Sequence, residues 1–285
     1  MKNNSSIVIL AAGMSSRMKK SLGDVSLDPK IQEIAQSNHK SLIPVTQNND
    51  SLMSLLLQNI ESANYTDVYL VTSSQNQGFK DLVGSKDANN LYGQLKIHFV
   101  IQKIEDHRSK PAGTADALLQ AYDQYPQLKS SYFTVCNGDN LYSIGTLKAL
   151  KAQRNAPCAM IAYDREGLQF PQERISKFAI IDCDDHWFLK KIIEKPNATQ
   201  IAQYKDAKGT TRLSMNVFNF DGSIMFPFIN ECPFHDCRDE KELPQAVANY
   251  VATHPKGMLC IPLSEHLPDL TSAHDMDALK KLGHP

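Results

Sequence analysis

At 285 residues, 42% hydrophobic and 21% charged, the chain has the composition of an ordinary globular protein with a sizeable core. Its 30 Lys and Arg against 31 Asp and Glu give a net charge of −1, so no basic stripe is available for nucleic acid or an anionic membrane. No apolar run approaches a membrane span and no signal-peptide layout opens the chain; a cytoplasmic location is expected, with the six cysteines as reduced thiols.

Ile7-Val8-Ile9-Leu10 is a short apolar run that stops at Ala11-Ala12-Gly13-Met14-Ser15-Ser16-Arg17, as a buried strand opening into a tight loop would. Small residues there let backbone N–H groups approach an anion, and Arg17 adds a planar fork suited to phosphate. The stretch 21–39 is polar and irregular, with a helical piece behind Pro29 (Ile31, Ile34, Ala35), and is a candidate lid. Asp50-Ser51 precedes a helix with Leu52, Leu55, Leu56 and Ile60 on one face. Strands are expected at 68–71, 97–101, 132–136 and 159–162, with helices at 114–122 and 144–153 between them. Apolar strands separated by helices imply a mostly parallel sheet covered on both faces, with ligands beyond the carboxyl ends of the strands. Beyond residue 170 the spacing predicts an antiparallel hairpin (178–181 with 188–193), a strand over 214–220, a helix over 244–252, a strand over 258–262 and a final helix starting at Ser272.

Asp139, in Asn137-Gly138-Asp139-Asn140 after the fourth strand, offers a hard carboxylate where the first loop's phosphates would lie, as Mg²⁺ asks. An Asn-Gly-Asp turn is the structural alternative. Asp269 is a second carboxylate for the same ion. Glu194-Lys195-Pro196 ends the hairpin; Lys195 suits a phosphate monoester and Glu194 sugar hydroxyls, against a solvated pair closing a strand. Cys232, His235 and Cys237 lie close together but lack a fourth zinc ligand at a usual spacing.

Leu10-Ala11-Ala12-Gly13-Met14-Ser15-Ser16-Arg17-Met18, Lys40-Ser41-Leu42-Ile43-Pro44-Val45, Gly113-Thr114-Ala115-Asp116-Ala117, Gly138-Asp139, Glu194-Lys195-Pro196 and Asp269-Leu270-Thr271 stand in the order seen in sugar-phosphate nucleotidylyltransferases. In these six motifs the chain resembles that family, the NDP-sugar pyrophosphorylases of glycosyltransferase-A-like fold. The resemblance implies an α/β fold, a Rossmann-like three-layer α/β/α domain with a mostly parallel central sheet and a small antiparallel acceptor-binding lobe. It implies one domain over 1–285, with a nucleotide-binding half (1–165) and an acceptor-binding half (166–285).

The implied reaction joins a nucleoside triphosphate to a sugar 1-phosphate with Mg²⁺, giving an NDP-sugar and pyrophosphate. By the resemblance, Arg17, Lys40 and Lys195 are catalytic cations, and Leu10, Ala11, Ala12, Gly13, Met14, Gln102, Gly113 and Thr114 bind the nucleotide. Asn140, Glu194, Lys195 and Asn216 face the acceptor, and Asp139 and Asp269 hold the metal. Departures from the family pattern are Ser15 where many members have Gly, the long connection from Arg17 to Lys40, and the charged loop 103–112. His39-Lys40 resembles the branch that activates phosphocholine-like phosphoesters with CTP, so a cytidylyltransferase for a non-sugar phosphate or phosphonate stays as the alternative. A non-catalytic nucleotide-sugar-binding protein is a third reading, opposed by the paired carboxylates. No nucleic-acid or membrane partner is expected, and a homo-oligomer is left open.

Overall fold

The structure, a computed structural model, describes residues 4–276 and residue 279. The strands are β1 (Ser6–Leu10), β2 (Asp67–Thr72), β3 (Asn90–Tyr92), β4 (Leu95–Ile101), β5 (Tyr132–Asn137), β6 (Cys158–Asp164), β7 (Ile180–Cys183), β8 (Leu189–Ile193), β9 (Arg212–Leu213), β10 (Phe218–Asp221) and β11 (Met258–Leu263). The helices are α1 (Ser16–Ser21), α2 (Pro29–Ser37), α3 (Leu52–Ser62), α4 (Gln77–Val83), α5 (Thr114–Gln124), α6 (Ile144–Lys151), α7 (Gln172–Ile175), α8 (Ala198–Gln203), α9 (Gly222–Asn230) and α10 (Leu243–Thr253).

All the strands join one sheet, in the order β3-β4-β2-β1-β5-β10-β6-β9-β7-β8, with β11 on β6. The β4-β2-β1-β5 core is parallel, as is the β6–β11 pair. The alternation of β1 explains the layers. Ile7 and Ile9 enter a core with Leu56, Leu57 and Ile60 of α3 and Leu147 and Leu150 of α6. Val8 points the other way, to Leu118 and Tyr122 of α5, Ile229 of α9 and Val247 of α10. Each side chain so buried stabilises by about 1.5–3 kcal/mol, which no polar-faced strand in the middle of the sheet would provide. This is the expected α/β architecture, with helices on both faces of a large, mostly parallel central sheet.

Ser51 caps α3, its hydroxyl accepting the N–H of Ser54 at 3.1 Å. The antiparallel β7–β8 pair matches the expected hairpin. Of the strand expected over 214–220 only 218–220 is formed, as part of β10, and Arg212–Leu213 makes the separate short β9. Asn216 between them has φ 52°, a left-handed conformation that interrupts an extended chain. The candidate lid, 21–39, packs against the rest of the chain. Leu22 and Ala35 are buried in a third cluster with Ile43, Leu52, Leu270, Ala273 and Met276, and Val25, Ile31 and Ile34 pack against it. Within 21–39 these residues buttress the Lys40 turn, and of the stretch only His39 lines the cleft described below. Ser272 and Asp275 form the expected capping box of a short turn, Ala273–Asp275; the rest of the expected final helix falls largely outside the described residues. No helix among the described residues is long and apolar enough to cross a membrane.

Candidate active site

The parallel strands deliver their carboxyl ends to one cleft of about 420 Å³. At its floor the first loop continues the β-ladder one residue past β1, Ala11 N–H donating to Val71 O at 2.8 Å. Gly138 fits beside this crossing because it has no Cβ, which would lie 3.0 Å from the Ala11 Cβ and 3.2 Å from Leu10 O. Gly13, Met14 and Arg17 are exposed and line the cleft. Ser15 stands at φ 54°, the conformation for which glycine is the usual residue. Its hydroxyl accepts the backbone N–H of Lys40 at 3.0 Å. The departure from glycine therefore ties the first loop to the Lys40 turn.

The Lys40 ammonium, buried at 7% exposure, lies 2.6 Å from Asp139 Oδ2. His39 opens the same turn, its Nδ1 accepting the N–H of Ser41 at 3.2 Å, which leaves the neutral ring's proton on Nε2. Burial holds the His39 pKa down at about 4; Asp139 opposes that shift, while Lys40 and Lys19 add to it. At neutral pH the His39 ring is therefore uncharged.

The second carboxylate reaches Asp139 through the backbone. Asn140 and Asp269 form a β-bridge, Leu270 N–H donates to Asp139 O at 2.9 Å, and Leu141 N–H donates to Pro268 O at 2.9 Å. Asp269 Oδ2 lies 2.6 Å from the Arg174 guanidinium, and Arg174 also binds Asp275 and stacks on the Phe170 ring. Burial, then the charge of Asp139, push the Asp269 carboxyl above the usual carboxylate range, against the pull of Arg174. Two mutually repelling hard carboxylates fit a divalent cation. Among the described residues no group of three or more acidic, His or Cys side chains makes a closed metal site, so an ion here would draw its remaining ligands from phosphates and water.

At the far end Gln102 follows β4 and is buried, with Gly113 and Thr114 beside it. Gly113 has φ 109°, and a Cβ there would meet Lys241 O at 2.4 Å. The long loop before it is zipped to the loop before α10. Lys241 N–H donates to Ala112 O, the Thr114 hydroxyl accepts Leu243 N–H at 2.9 Å, and Lys110 pairs with Glu240 at 2.7 Å. Lys110, Pro111 and Glu240 form part of the wall.

The cleft thus gathers Leu10, Ala12, Gly13, Met14, Arg17, Lys40, Gln102, Gly113, Thr114 and Asp139. Ala11 is buried beneath it, and Asp269 stands just behind Thr271, which lines the cleft and whose hydroxyl donates to Asp269 Oδ2 at 3.0 Å. Asn140 is buried, its Oδ1 lying 3.4 Å from the Tyr142 hydroxyl. Glu194 and Lys195 are exposed; neither they nor Asn216 line the cleft. Sequence reasoning missed Arg174, in a segment without a motif, and Lys110 and Glu240, marked only by charge in long loops. The Cys232–Cys237 stretch is a turn in which His235 Nδ1 accepts the N–H of Cys237 at 3.2 Å.

The chain is 22% identical over 245 residues to the bifunctional protein GlmU of Staphylococcus haemolyticus, covering 86% of this chain and 45% of that protein. It is 26% identical over 170 residues to glucose-1-phosphate adenylyltransferase 1 of Alkalilimnicola ehrlichii, covering 56% and 38%. The chain spans less than half the length of these curated relatives. A crystal structure of UDP-glucose pyrophosphorylase complexed with UDP-glucose shares the fold, with TM-score 0.69, 15% identity and 98% of each chain covered. The family model described as nucleotidyl transferase matches residues 29–256, and the chain belongs to that family.

Proposed function

We propose that the protein is a Mg²⁺-dependent nucleotidyltransferase that joins a nucleoside triphosphate to a sugar 1-phosphate, releasing pyrophosphate. The observation that carries this reading is the cleft itself. A small-residue loop with Arg17, the buried Lys40 and the Asp139 carboxylate meet at the carboxyl ends of parallel strands. The relatives named for glucose-1-phosphate adenylyltransferase and UDP-glucose pyrophosphorylase support the same chemistry.

An oxygen of the acceptor phosphate attacks the α-phosphorus, and the bond from that phosphorus to the bridging oxygen of the leaving pyrophosphate breaks. The acceptor phosphate's second pKa is about 6, so it is ionised at neutral pH and no general base is required. Arg17 and Lys40 neutralise the triphosphate and the charge that grows on the leaving group. Asp139 and Asp269 would hold the magnesium ion, which when bound supplies charge neutralisation and alignment of phosphate oxygens. Lys195 and Glu194 belong to the acceptor's approach in this reading, and Gln102, Gly113 and Thr114 to the base.

Pyrophosphate release across a matrix of nucleoside triphosphates and phosphate acceptors tests it. Turnover with a sugar 1-phosphate is expected. Turnover only with phosphocholine-like acceptors would overturn the sugar assignment, and none with any pair would overturn the reaction.

A further inference from the structure

We propose that Asp116 is a positioning residue for base selection. It locks the Gln102 side chain with its carbonyl Oε1 toward the cleft, so that a nucleobase must bring an N–H to that point. The inference rests on the nucleotidyl-transfer reading above. Gln102 Nε2 donates to Gly113 O at 3.1 Å and to Asp116 Oδ2 at 2.8 Å. A peptide carbonyl and a carboxylate only accept, so both amide protons are committed and Oε1 is the atom left for a ligand.

The lock is braced from behind. Asp116 sits in the first turn of α5, where a negative charge is favoured, and its Oδ2 also accepts from Gln120 Nε2 at 2.9 Å. Gln120 has its own polarity fixed by the backbone of Lys103. Its Oε1 accepts that N–H at 2.7 Å and its Nε2 donates to that carbonyl at 3.0 Å. The three side chains therefore have one consistent orientation, pinned to backbone at both ends. A flipped Gln102 would set Oε1 against two acceptors, losing two hydrogen bonds and burying an unmatched carbonyl. Asp116 itself does not line the cleft, so it acts through Gln102.

A glutamine free to flip offers a donor to cytosine N3 or an acceptor to uracil N3–H with equal ease. A locked one does not: where the acceptor meets the N3 edge it pairs with uracil N3–H and leaves cytosine N3 unpaired, and a site whose polar groups are fixed rejects the base that leaves them unpaired. The experiment is calorimetric binding of UTP, dTTP, CTP, GTP and ATP with Mg²⁺, without acceptor, to the wild type, D116N and D116A. The wild type is expected to separate uracil from cytosine nucleotides by at least about tenfold, the worth of roughly one hydrogen bond. D116A removes one of the two acceptors and is expected to narrow that ratio severalfold, chiefly by admitting the disfavoured base. D116N keeps the ratio, because Asn Oδ1 still accepts from both amides. Should D116A not fold, D116S, whose hydroxyl can also donate to a flipped Gln102, is expected to narrow the ratio likewise. An unselective wild type, a D116A or D116S protein with the wild-type ratio, or a D116N protein as relaxed as D116A would overturn the lock. Failure of the wild type to bind any nucleoside triphosphate would overturn the nucleotidyl-transfer reading as well.

Discussion

The Lys40 ammonium stands 2.6 Å from the Asp139 carboxylate, although the two residues come from a turn after α2 and from the end of β5. In the proposed reaction the pair would bring a cation for phosphate and a carboxylate for a metal within one ion-pair distance. Lys40→Met and Asp139→Asn are each expected to lower turnover by on the order of 10²–10³, with the far-UV circular dichroism unchanged. If both act on the same phosphates as proposed, the double variant should lose little more than the worse single one. Fully multiplicative losses would mean that the two act separately.

Ser15 holds its left-handed conformation while its hydroxyl accepts from Lys40 N–H. Ser15→Gly is expected to keep the fold and lose about 1 kcal/mol for the hydrogen bond, with a raised KM for the triphosphate. Ser15→Val forces a β-branched residue to φ 54° and should cost about 1–3 kcal/mol more. Urea unfolding of the three proteins checks the order; equal stability of the Gly and Val variants would remove the conformational argument.

Gly113 is the point where the base-side loop touches the loop before α10. Gly113→Ala meets both a φ of 109° and Lys241 O at 2.4 Å, so the two loops must part. A loss of about 2–3 kcal/mol is expected, with weaker nucleotide binding. Unchanged melting temperature and affinity would contradict the close approach.

His39 gives the stability a pH dependence of known sign. Its pKa is lowered to about 4 in the folded protein, below the ordinary histidine value of 6.5, so between these values the unfolded chain binds more protons. The stability it contributes is present above pH 6.5 and is lost as pH falls toward 4. His39→Gln should therefore lose less stability than the wild type between pH 6.5 and 4.5, measured by urea unfolding at each pH. Parallel losses would place the acid sensitivity elsewhere.

The parallel core was legible because β1, β2, β4 and β5 are apolar on both faces, a pattern that only a covered sheet explains. Three parts were not. In α9, Pro227 inside the helix hides it from a propensity reading. The break at Asn216 depends on a single left-handed residue that the surrounding apolar run conceals. In the site, the cleft residues that follow strand ends were readable from small residues and charges next to β-runs. Arg174 was not, since its role comes from a tertiary contact with Asp269 and Asp275. Asp116 stood inside a quoted motif, but its partner Gln102 is fourteen residues away and only the folded chain joins them.

Direct nucleotidyl transfer is tested most sharply by following isotope. A sugar 1-phosphate labelled with ¹⁸O in its phosphate is incubated with a nucleoside triphosphate, Mg²⁺ and the protein, and the products are weighed by mass spectrometry. Attack by the acceptor phosphate on the α-phosphorus puts every labelled oxygen in the NDP-sugar and none in pyrophosphate. Label in the pyrophosphate, or nucleoside monophosphate in place of an NDP-sugar, would contradict the proposed reaction.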